Sequence, residues 1–391
     1  MYVLLIFGIF IVSRYLERFR IPSAITCVAI GVGLGIGAGA FTDAPTVKIF
    51  AVLGIVSLFL FAGMEVDLEE LKRGRAILVQ HLVIRAAVIA GATMLIQRFL
   101  DLELRAAVLV ALALLTPSTG FILSSLASLD LSPDERFWIK SKAIATEIVA
   151  LAALFVALQS TSPETLGLSV VALLLMILLL PVIFKMFARA ILPYAPNTEF
   201  AFLVIVALLC ASLTKKLGVY YLVGAFVVGV TEQRLRSELP ALATDGLMRA
   251  VELFASFFIP FYFLEAGLTL TRENFSPAAF ELAGIFIVCA LPAQMVIVAL
   301  HRRIALKEPM RAGFRVGASL LPTLVFSMVL AGILRERFAA TPALVGAIII
   351  YALANTLIPG FFLRTPVPDY DSPVIPRQTV EMSVQDHRTA Q

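Results

Sequence analysis

The sequence has 391 residues, of which 60% are hydrophobic and only 15% are charged, and its formal net charge is +4. Soluble domains carry about a quarter charged residues, so this composition excludes an ordinary soluble protein. The mean hydropathy of +0.97 favours a protein built into a lipid bilayer.

The apolar residues form about thirteen blocks of roughly 20 residues, the length of helix that crosses about 30 Å of hydrocarbon. In chain order, the predicted spans are residues 1–15, 21–40, 46–64, 76–98, 104–127, 137–159, 165–190, 199–215, 217–231, 247–270, 278–300, 311–334 and 341–363. The pattern predicts an all-α polytopic membrane protein. A polar, proline-containing tail at 365–391 is expected to be a disordered cytoplasmic extension.

Basic residues in the predicted loops give the expected orientation. When the N-terminus is placed outside, most loop lysines and arginines face the cytoplasm, including Arg14, Arg18 and Arg20 after the first span. An odd number of spans then puts the C-terminus in the cytoplasm. We therefore expect an integral protein of a bacterial inner (plasma) membrane. The spread of basic residues over many loops argues against a nucleic-acid partner.

A run of alternating glycines lies in the second predicted span: Gly31, Gly33, Gly35, Gly37 and Gly39. Their spacing is not that of a nucleotide-binding loop, whereas small residues are common where membrane helices pack closely. The sequence contains no Walker motif, no zinc motif and no Cys/His cluster. We therefore expect no enzyme activity, no cofactor, no nucleotide domain and no metal beyond a transported monovalent cation.

Two pairs of landmarks indicate an internal repeat. Gly63 in "FLFAGMEVDL" aligns with Gly267 in "FYFLEAGLTL", and Pro117 aligns with Pro322, at offsets that agree to within one residue. The paired spans run in opposite directions in the expected topology, which predicts inverted repeats of six helices, a hallmark of secondary transporters. Repeat one covers about 1–160, a linker helix about 165–190, and repeat two about 198–364.

The two repeat-related prolines lie inside the fifth and twelfth predicted spans, in "TPSTG" and "LPT". Proline removes a backbone donor and crowds the preceding turn, so it can break a helix and free carbonyls toward a cavity. For either proline alone, a simple kink is an equally good interpretation. Because the positions are related by the repeat, we predict helix breaks at both Pro117 and Pro322.

One carboxylate, Glu147, lies in the middle of an apolar span, in "SKAIATEIVAL". Nine residues of helix separate it from Trp138, the expected interfacial residue, which puts it roughly 13 Å deeper, near the bilayer midplane. A charged carboxylate there costs at least about 2.5 to 3.5 kcal/mol, so its presence needs a reason. One interpretation is a protonated structural glutamate. The interpretation we favour is a site that binds either a proton or a small cation.

Several other polar residues are candidates for the same site. Five hydroxyl-bearing residues are candidate neutral ligands of a cation, although each alone is more often a helix-packing residue: Thr116, Ser118, Thr119, Thr146 and Thr323. Two charged residues are candidate accessory groups. Glu265 is interpreted either as a vestibule carboxylate or as a surface acid. Arg85 is interpreted either as the counter-charge of a core acid or as a side chain that forms a salt bridge or reaches toward the cytoplasm.

The run "LGIVSLFLFAGMEVDLEELKR" and the run "FFIPFYFLEAGLTL" resemble the third-helix motif of the second cation:proton antiporter family and its counterpart in the second half. The resemblance to these Kef-type and related sodium/proton antiporters covers nearly the whole chain. It implies thirteen helices, a homodimer, and a core with two crossed broken helices that moves against a dimerisation domain in an elevator-like cycle. Within a transmembrane domain at 1–364, it implies core helices at about 76–159 and 278–363 and dimerisation helices at about 1–64 and 199–270.

The chain departs from this family's ion-binding motif. The resemblance implies a pair such as Asp-Asp or Asn-Asp in the sixth helix, where this chain has Thr146-Glu147. The accessory acid is absent, and the eleventh helix has Gln294 or a neighbour where such members often carry a partner lysine. The twelfth helix has Pro322 and Thr323 in place of an Arg-Gly-Glu-like run. Loss of the acid and the lysine together is self-consistent, because an unpaired buried lysine is costly.

From these residues we predict a secondary transporter that exchanges Na+ or K+ for H+, with Glu147 as the shared proton and cation site. Because Thr146 cannot ionise, we expect one-for-one, electroneutral exchange. Two alternatives stay open. One is a non-transporting homologue that acts as a sensor or assembly partner, and the other is a proton-coupled transporter of another small solute on the same fold.

Overall fold

The computed structural model describes residues 2–126, 129–218, 220–239 and 245–363 of the chain. All regular secondary structure in these ranges is helical. The all-α architecture predicted from the apolar blocks is therefore confirmed, while the predicted tail at 365–391 lies outside the described residues.

Apart from two short helices, Leu68–Arg73 and Arg272–Phe275, the helices in chain order are α1 (2–17), α2 (Ser23–Ala38), α3 (Pro45–Met64), α4 (Arg75–Leu100), α5 (Leu104–Leu115 and Thr119–Leu126), α6 (Pro133–Gln159), α7 (Pro163–Ile191), α8 (Glu199–Lys216), α9 (Tyr221–Leu235), α10 (Asp245–Leu268), α11 (Pro277–Ala305), α12 (Met310–Ser319 and Leu324–Phe338) and α13 (Pro342–Phe362). By length and composition, 8 helices of the described ranges can cross a membrane. The number rises to 9 if the two parts of α12, which are bent by 48° relative to each other, are counted as one span. The chain is an integral membrane protein with multiple spans.

Four of the long helices begin at a hydroxyl-bearing residue followed by proline. The capping residues of α6, α7, α11 and α13 are Ser132, Ser162, Ser276 and Thr341. The hydroxyl accepts a backbone N–H of the first turn, and proline fits the first helical position because no helical partner exists there for an N–H. At α6, Glu135 completes a capping box with Ser132, so the helix begins at Pro133, earlier than the predicted start at 137.

The helices form two bundles. In the first bundle, α3 packs against α9 and α10, α10 also packs against α2, and α8 packs against α9. In the second bundle, α11, α12 and α13 pack together with α4, α5 and α6. Among the described residues, α7 contacts both α6 and α9, and α3 contacts the second part of α5 directly. A surface between the two bundles therefore runs past the end of α3 and the break in α5.

Glycines allow α2 and α3 to approach opposing helices closely. A Cβ added to Gly31 in α2 would lie 3.0 Å from the Cα of Gly267 in α10, and one added to Gly63 in α3 would lie 3.0 Å from the Cα of Gly229 in α9. Backbone contacts this short leave no space for a side chain. The close packing predicted from the glycine run is therefore found at Gly31.

We expect Gly31→Ala to lower the free energy of unfolding by about 1 to 3 kcal/mol, because the added methyl group collides with the backbone of α10. Gly33→Ala is the matched control in the same helix, since a Cβ there meets nothing within 4 Å. Thermal unfolding in detergent measures both variants. Equal losses of stability in the two variants would contradict the close approach at Gly31.

Candidate functional site

Helices α5 and α12 are each interrupted by a short non-helical segment that contains a proline. The segments are residues 116–118 in α5 and 320–323 in α12. They contact each other directly, because the backbone N–H of Ser118 donates to the carbonyl of Pro322 at 2.8 Å. The structure thus brings Pro117 and Pro322, the two prolines singled out in the sequence, to one crossing point.

The break in α5 frees backbone carbonyls, and side chains from the second half of the chain satisfy them. In an unbroken helix the carbonyl of Ala113 would accept from residue 117, but proline has no N–H, and the hydroxyl of Ser327 donates instead at 2.6 Å. The next carbonyl, that of Leu114, accepts from the hydroxyl of Tyr351 at 2.8 Å and from Nε2 of Gln294 at 3.2 Å. The end of this half-helix is therefore held by α11, α12 and α13.

The last carbonyl of the half-helix, that of Leu115, is held by Arg85 of α4. Nη2 of Arg85 donates to this carbonyl at 2.8 Å and to Oε1 of Gln294 at 3.2 Å. Arg85 is only 2% exposed, and no acid of the described ranges is among its charged neighbours. The side chain thus faces the negative end of a half-helix rather than a core acid or the cytoplasm.

Ser118 caps the second part of α12. Its hydroxyl oxygen accepts from the backbone N–H of Val325 at 3.0 Å and of Phe326 at 3.3 Å. These N–H groups belong to the first turn of the helix and have no helical partner, so the hydroxyl acts as an N-cap across the crossing. Ser118 was predicted as a cation ligand, but its oxygen is already engaged in joining the two breaks.

Thr323 is tied to α13 by a reciprocal pair of hydrogen bonds. Its backbone N–H donates to Oδ1 of Asn355 at 3.3 Å, and its hydroxyl oxygen accepts from Nδ2 of Asn355 at 2.8 Å. The same hydroxyl lies 2.8 Å from that of Ser327. Because the proton of Ser327 goes to the carbonyl of Ala113, the proton of Thr323 goes to Ser327. The hydroxyl of Thr323 therefore both donates and accepts a hydrogen bond within the fold.

Glu147 of α6 lies next to the second part of α5 and is 2% exposed. The backbone N–H and the hydroxyl of Thr119 are directed toward its carboxylate. Even so, three buried oxygens of α5 and α6 lack a hydrogen-bond partner in the described part of the chain: Oε2 of Glu147, Oγ1 of Thr119, and Oγ1 of Thr116 at the break in α5. Buried polar atoms are normally bonded, so these three have unused bonding capacity.

A small cavity of about 10 Å³, close to the space that one water molecule needs, adjoins Glu147 and lies between the two bundles. One wall is formed by Leu58, Phe59 and Ala62 of α3, and the opposite wall by the two breaks, including Thr119. The described residues contain no group of three or more His, Cys, Asp or Glu that could hold a metal ion. The chemistry available in the cavity is thus one carboxylate with neutral oxygens, which suits a proton or a monovalent cation.

Two further candidates lie apart from the cavity. The hydroxyl of Thr146 donates to the carbonyl of Lys142 at 2.7 Å and lies 3.2 Å from Nε2 of His81. Because the hydroxyl proton goes to the carbonyl, the imidazole N–H is the donor of the second contact. Glu265 lies elsewhere, and Arg335 is the charged side chain that acts on it most strongly. Neither Thr146 nor Glu265 lines the cavity.

Sequence reasoning missed Ser327, Tyr351 and Asn355, and it named Gln294 only as a replacement for a lysine. A usable signal was present, because polar side chains inside apolar helices are costly unless they are bonded. Tyr351 and Asn355 lie one turn apart in α13, so they share one face of the helix. That face is the one that contacts the two breaks.

A family model described as "Sodium/hydrogen exchanger, transmembrane" matches residues 3–367 of the chain. No curated protein matches the chain in sequence. Two similar solved structures are of the sodium proton antiporter MjNhaP1 from Methanocaldococcus jannaschii. The structure at pH 8 has a TM-score of 0.63 and 14% identity, and covers 93% of this chain and 96% of that chain.

The second structure, an electron-microscopy map of the same antiporter, has a TM-score of 0.62 and 16% identity, and covers 92% of this chain and 93% of that chain. At such low identity the likeness shows a common fold. Together with the family match, it confirms the exchanger resemblance at the level of the broad family, and a transporter rather than an enzyme. The chain belongs to the sodium/hydrogen exchanger transmembrane family.

Proposed function

We propose that this exchanger carries a monovalent cation, Na+ or K+, in one direction and H+ in the other, with Glu147 as the shared site. The observation that carries the proposal is the buried Oε2 of Glu147 at the cavity beside Thr119, since neither this oxygen nor the hydroxyl of Thr119 has a hydrogen-bond partner in the described part of the chain. A bare carboxylate is costly in such surroundings, so either a proton or a cation neutralises it. The two ligands compete for the same oxygens, and this competition is the basis of exchange.

The choice of ion follows from two further sources of support. The family description names sodium and hydrogen, and the similar solved structures are of a sodium proton antiporter. These favour Na+, whereas K+ and the Kef-type assignment rest on the resemblance in the sequence. Oxygen ligands without a second acid suit either monovalent cation.

For the architecture, we infer thirteen spans in two inverted repeats, with the N-terminus outside and the C-terminus in the cytoplasm of a bacterial inner membrane. Support comes from reciprocal close contacts. Gly31 of α2 meets Gly267 of α10, and Gly63 of α3 meets Gly229 of α9. An inverted repeat that relates α2 to α9 and α3 to α10 would produce this pair of contacts.

We infer an elevator-type cycle in which the second bundle is the moving core and the first bundle forms the interface of a homodimer. Two features support this division. The cavity at Glu147 lies between the bundles, with α3 as one wall. Cross-bonded breaks make the core a unit that can move as a whole, carrying the site past α3.

The proposal predicts electroneutral exchange, since Thr146 cannot ionise and lies apart from the cavity. In proteoliposomes, a pH-sensitive dye should report proton flux when Na+ or K+ is added outside, and an imposed membrane potential should leave the rate unchanged. A potential-driven rate would contradict one-for-one exchange. If no monovalent cation drives proton flux, the proposal is contradicted. If only organic ions drive it, the protein transports another solute coupled to protons.

A further inference from the structure

We propose that Arg85 is a resident cation of the transport site. Its guanidinium occupies a cation-binding position at the carbonyl end of the first part of α5, and it thereby keeps the exchanged cation at Glu147. The transport consequence rests on the proposed function, whereas the binding position itself does not.

The position is built from oxygen atoms. The carbonyl of Leu115 and Oε1 of Gln294 both accept from Nη2 of Arg85, at 2.8 and 3.2 Å. Gln294 is itself fixed, because its Nε2 donates to the carbonyl of Leu114 and to the hydroxyl of Tyr351. Two oxygens, one of them a backbone carbonyl, therefore converge on a single buried cation that approaches from a different helix, α4.

The charge at this end of α5 explains why a cation is needed there. A helix C-terminus carries about half an elementary negative charge, and the break places this end inside the bundle rather than in water. The next residue, Thr116, has a buried hydroxyl that lacks a partner within the described ranges, and it leads into the segment beside Glu147. Without a fixed positive group, the carbonyl of Leu115 and Oε1 of Gln294 would attract the transported cation in competition with the carboxylate.

Arginine suits this role better than an exchangeable ion. Its guanidinium stays protonated in proteins, and its tether to α4 prevents release, so the position remains filled throughout the cycle. The exchanged cation then has one counter-charge, Glu147, and one cation is bound per cycle. Arg85 is accordingly a positioning residue, which acts on the transported ion through the half-helix end.

Chemical rescue tests the proposal. In Arg85→Ala, we expect a lower Tm and a loss of exchange of about tenfold or more, because the half-helix end loses the charged donor of its last carbonyl. Free guanidinium at millimolar concentration, far below denaturing levels, should raise the Tm and restore exchange. Urea, which is neutral and of similar shape, should do neither.

Two matched variants complete the test. Arg105→Ala is the control, since Arg105 also donates to helix-end carbonyls, those of Ala157 and Leu158, but at a partly exposed place away from the breaks. Guanidinium should not raise its Tm. Arg85→Lys keeps the charge and should retain measurable exchange if Arg85→Ala folds poorly.

Three outcomes overturn the proposal. Guanidinium and urea have equal effects on Arg85→Ala, or Arg85→Ala exchanges at the full rate without guanidinium. The third is that Arg85→Lys folds but does not exchange while the native protein does. If the native protein shows no exchange, the proposed function fails separately. In that case a rise in Tm with guanidinium, specific to Arg85→Ala, still supports the cation position, and its absence overturns it.

Discussion

Glu147→Gln is expected to reduce cation-driven proton flux in proteoliposomes to the level of empty liposomes. The amide keeps the size of the side chain but can neither take up a proton nor neutralise a cation. Among the described residues no other carboxylate lines the cavity, so no group of theirs can replace it. Glu147→Asp keeps the chemistry with a shorter reach and should retain exchange with an altered KM for the cation.

The control for this experiment is Glu281→Gln, the same chemical change at an exposed carboxylate of α11. It should exchange at the native rate, which shows that loss of one carboxylate from the second bundle is tolerated. Both variants should elute as folded protein with a native Tm. Full exchange by Glu147→Gln would remove Glu147 from the site and with it the proposed competition between proton and cation.

Thr119→Val is expected to raise the KM for the transported cation about tenfold, equivalent to about 1.4 kcal/mol, without lowering the Tm. Valine has nearly the shape of threonine, and the hydroxyl of Thr119, although directed toward the carboxylate of Glu147, has no hydrogen-bond partner among the described residues. Its removal therefore breaks no hydrogen bond of the fold, so we expect the effect on the KM rather than on the Tm. Transport rates measured over a range of cation concentrations give the KM.

Thr323→Val provides the opposite pattern. Its hydroxyl is bonded to Asn355 and Ser327, so the substitution leaves a buried amide unsatisfied and should cost about 1 to 3 kcal/mol of stability. The KM for the cation should stay near the native value. If Thr323→Val raises the KM and Thr119→Val only lowers the Tm, the roles of the two hydroxyls are reversed from those proposed here.

The helices and their breaks could be predicted because their causes are local. Twenty apolar residues in a row favour a membrane helix whatever surrounds them, and proline removes a backbone donor in any context. The breaks at Pro117 and Pro322 follow from this rule. The start of α6 was predicted too late because hydropathy begins after the polar capping box of Ser132 and Glu135, which already forms the first turn.

The roles of the polar side chains could not be predicted in the same way, because they depend on partners far away in the chain. The sequence presents Ser118, Thr119 and Thr323 as equal candidates. Only the fold shows that two of these hydroxyls are already bonded at the crossing and one is not. Similarly, depth alone placed Arg85 inside the membrane but gave no indication of the direction in which its side chain points.

The dependence of the first break on later residues also constrains how the protein is made. The carbonyls of Ala113 and Leu114 find their final donors only in Ser327, Gln294 and Tyr351. Ribosomes release the N-terminal half first, so these carbonyls have none of the three donors until α11 is synthesised, and the last donor, Tyr351, follows only with α13. Insertion of the last helix therefore completes the first break, and an exchanger truncated before α13 leaves its earliest transport element unfinished.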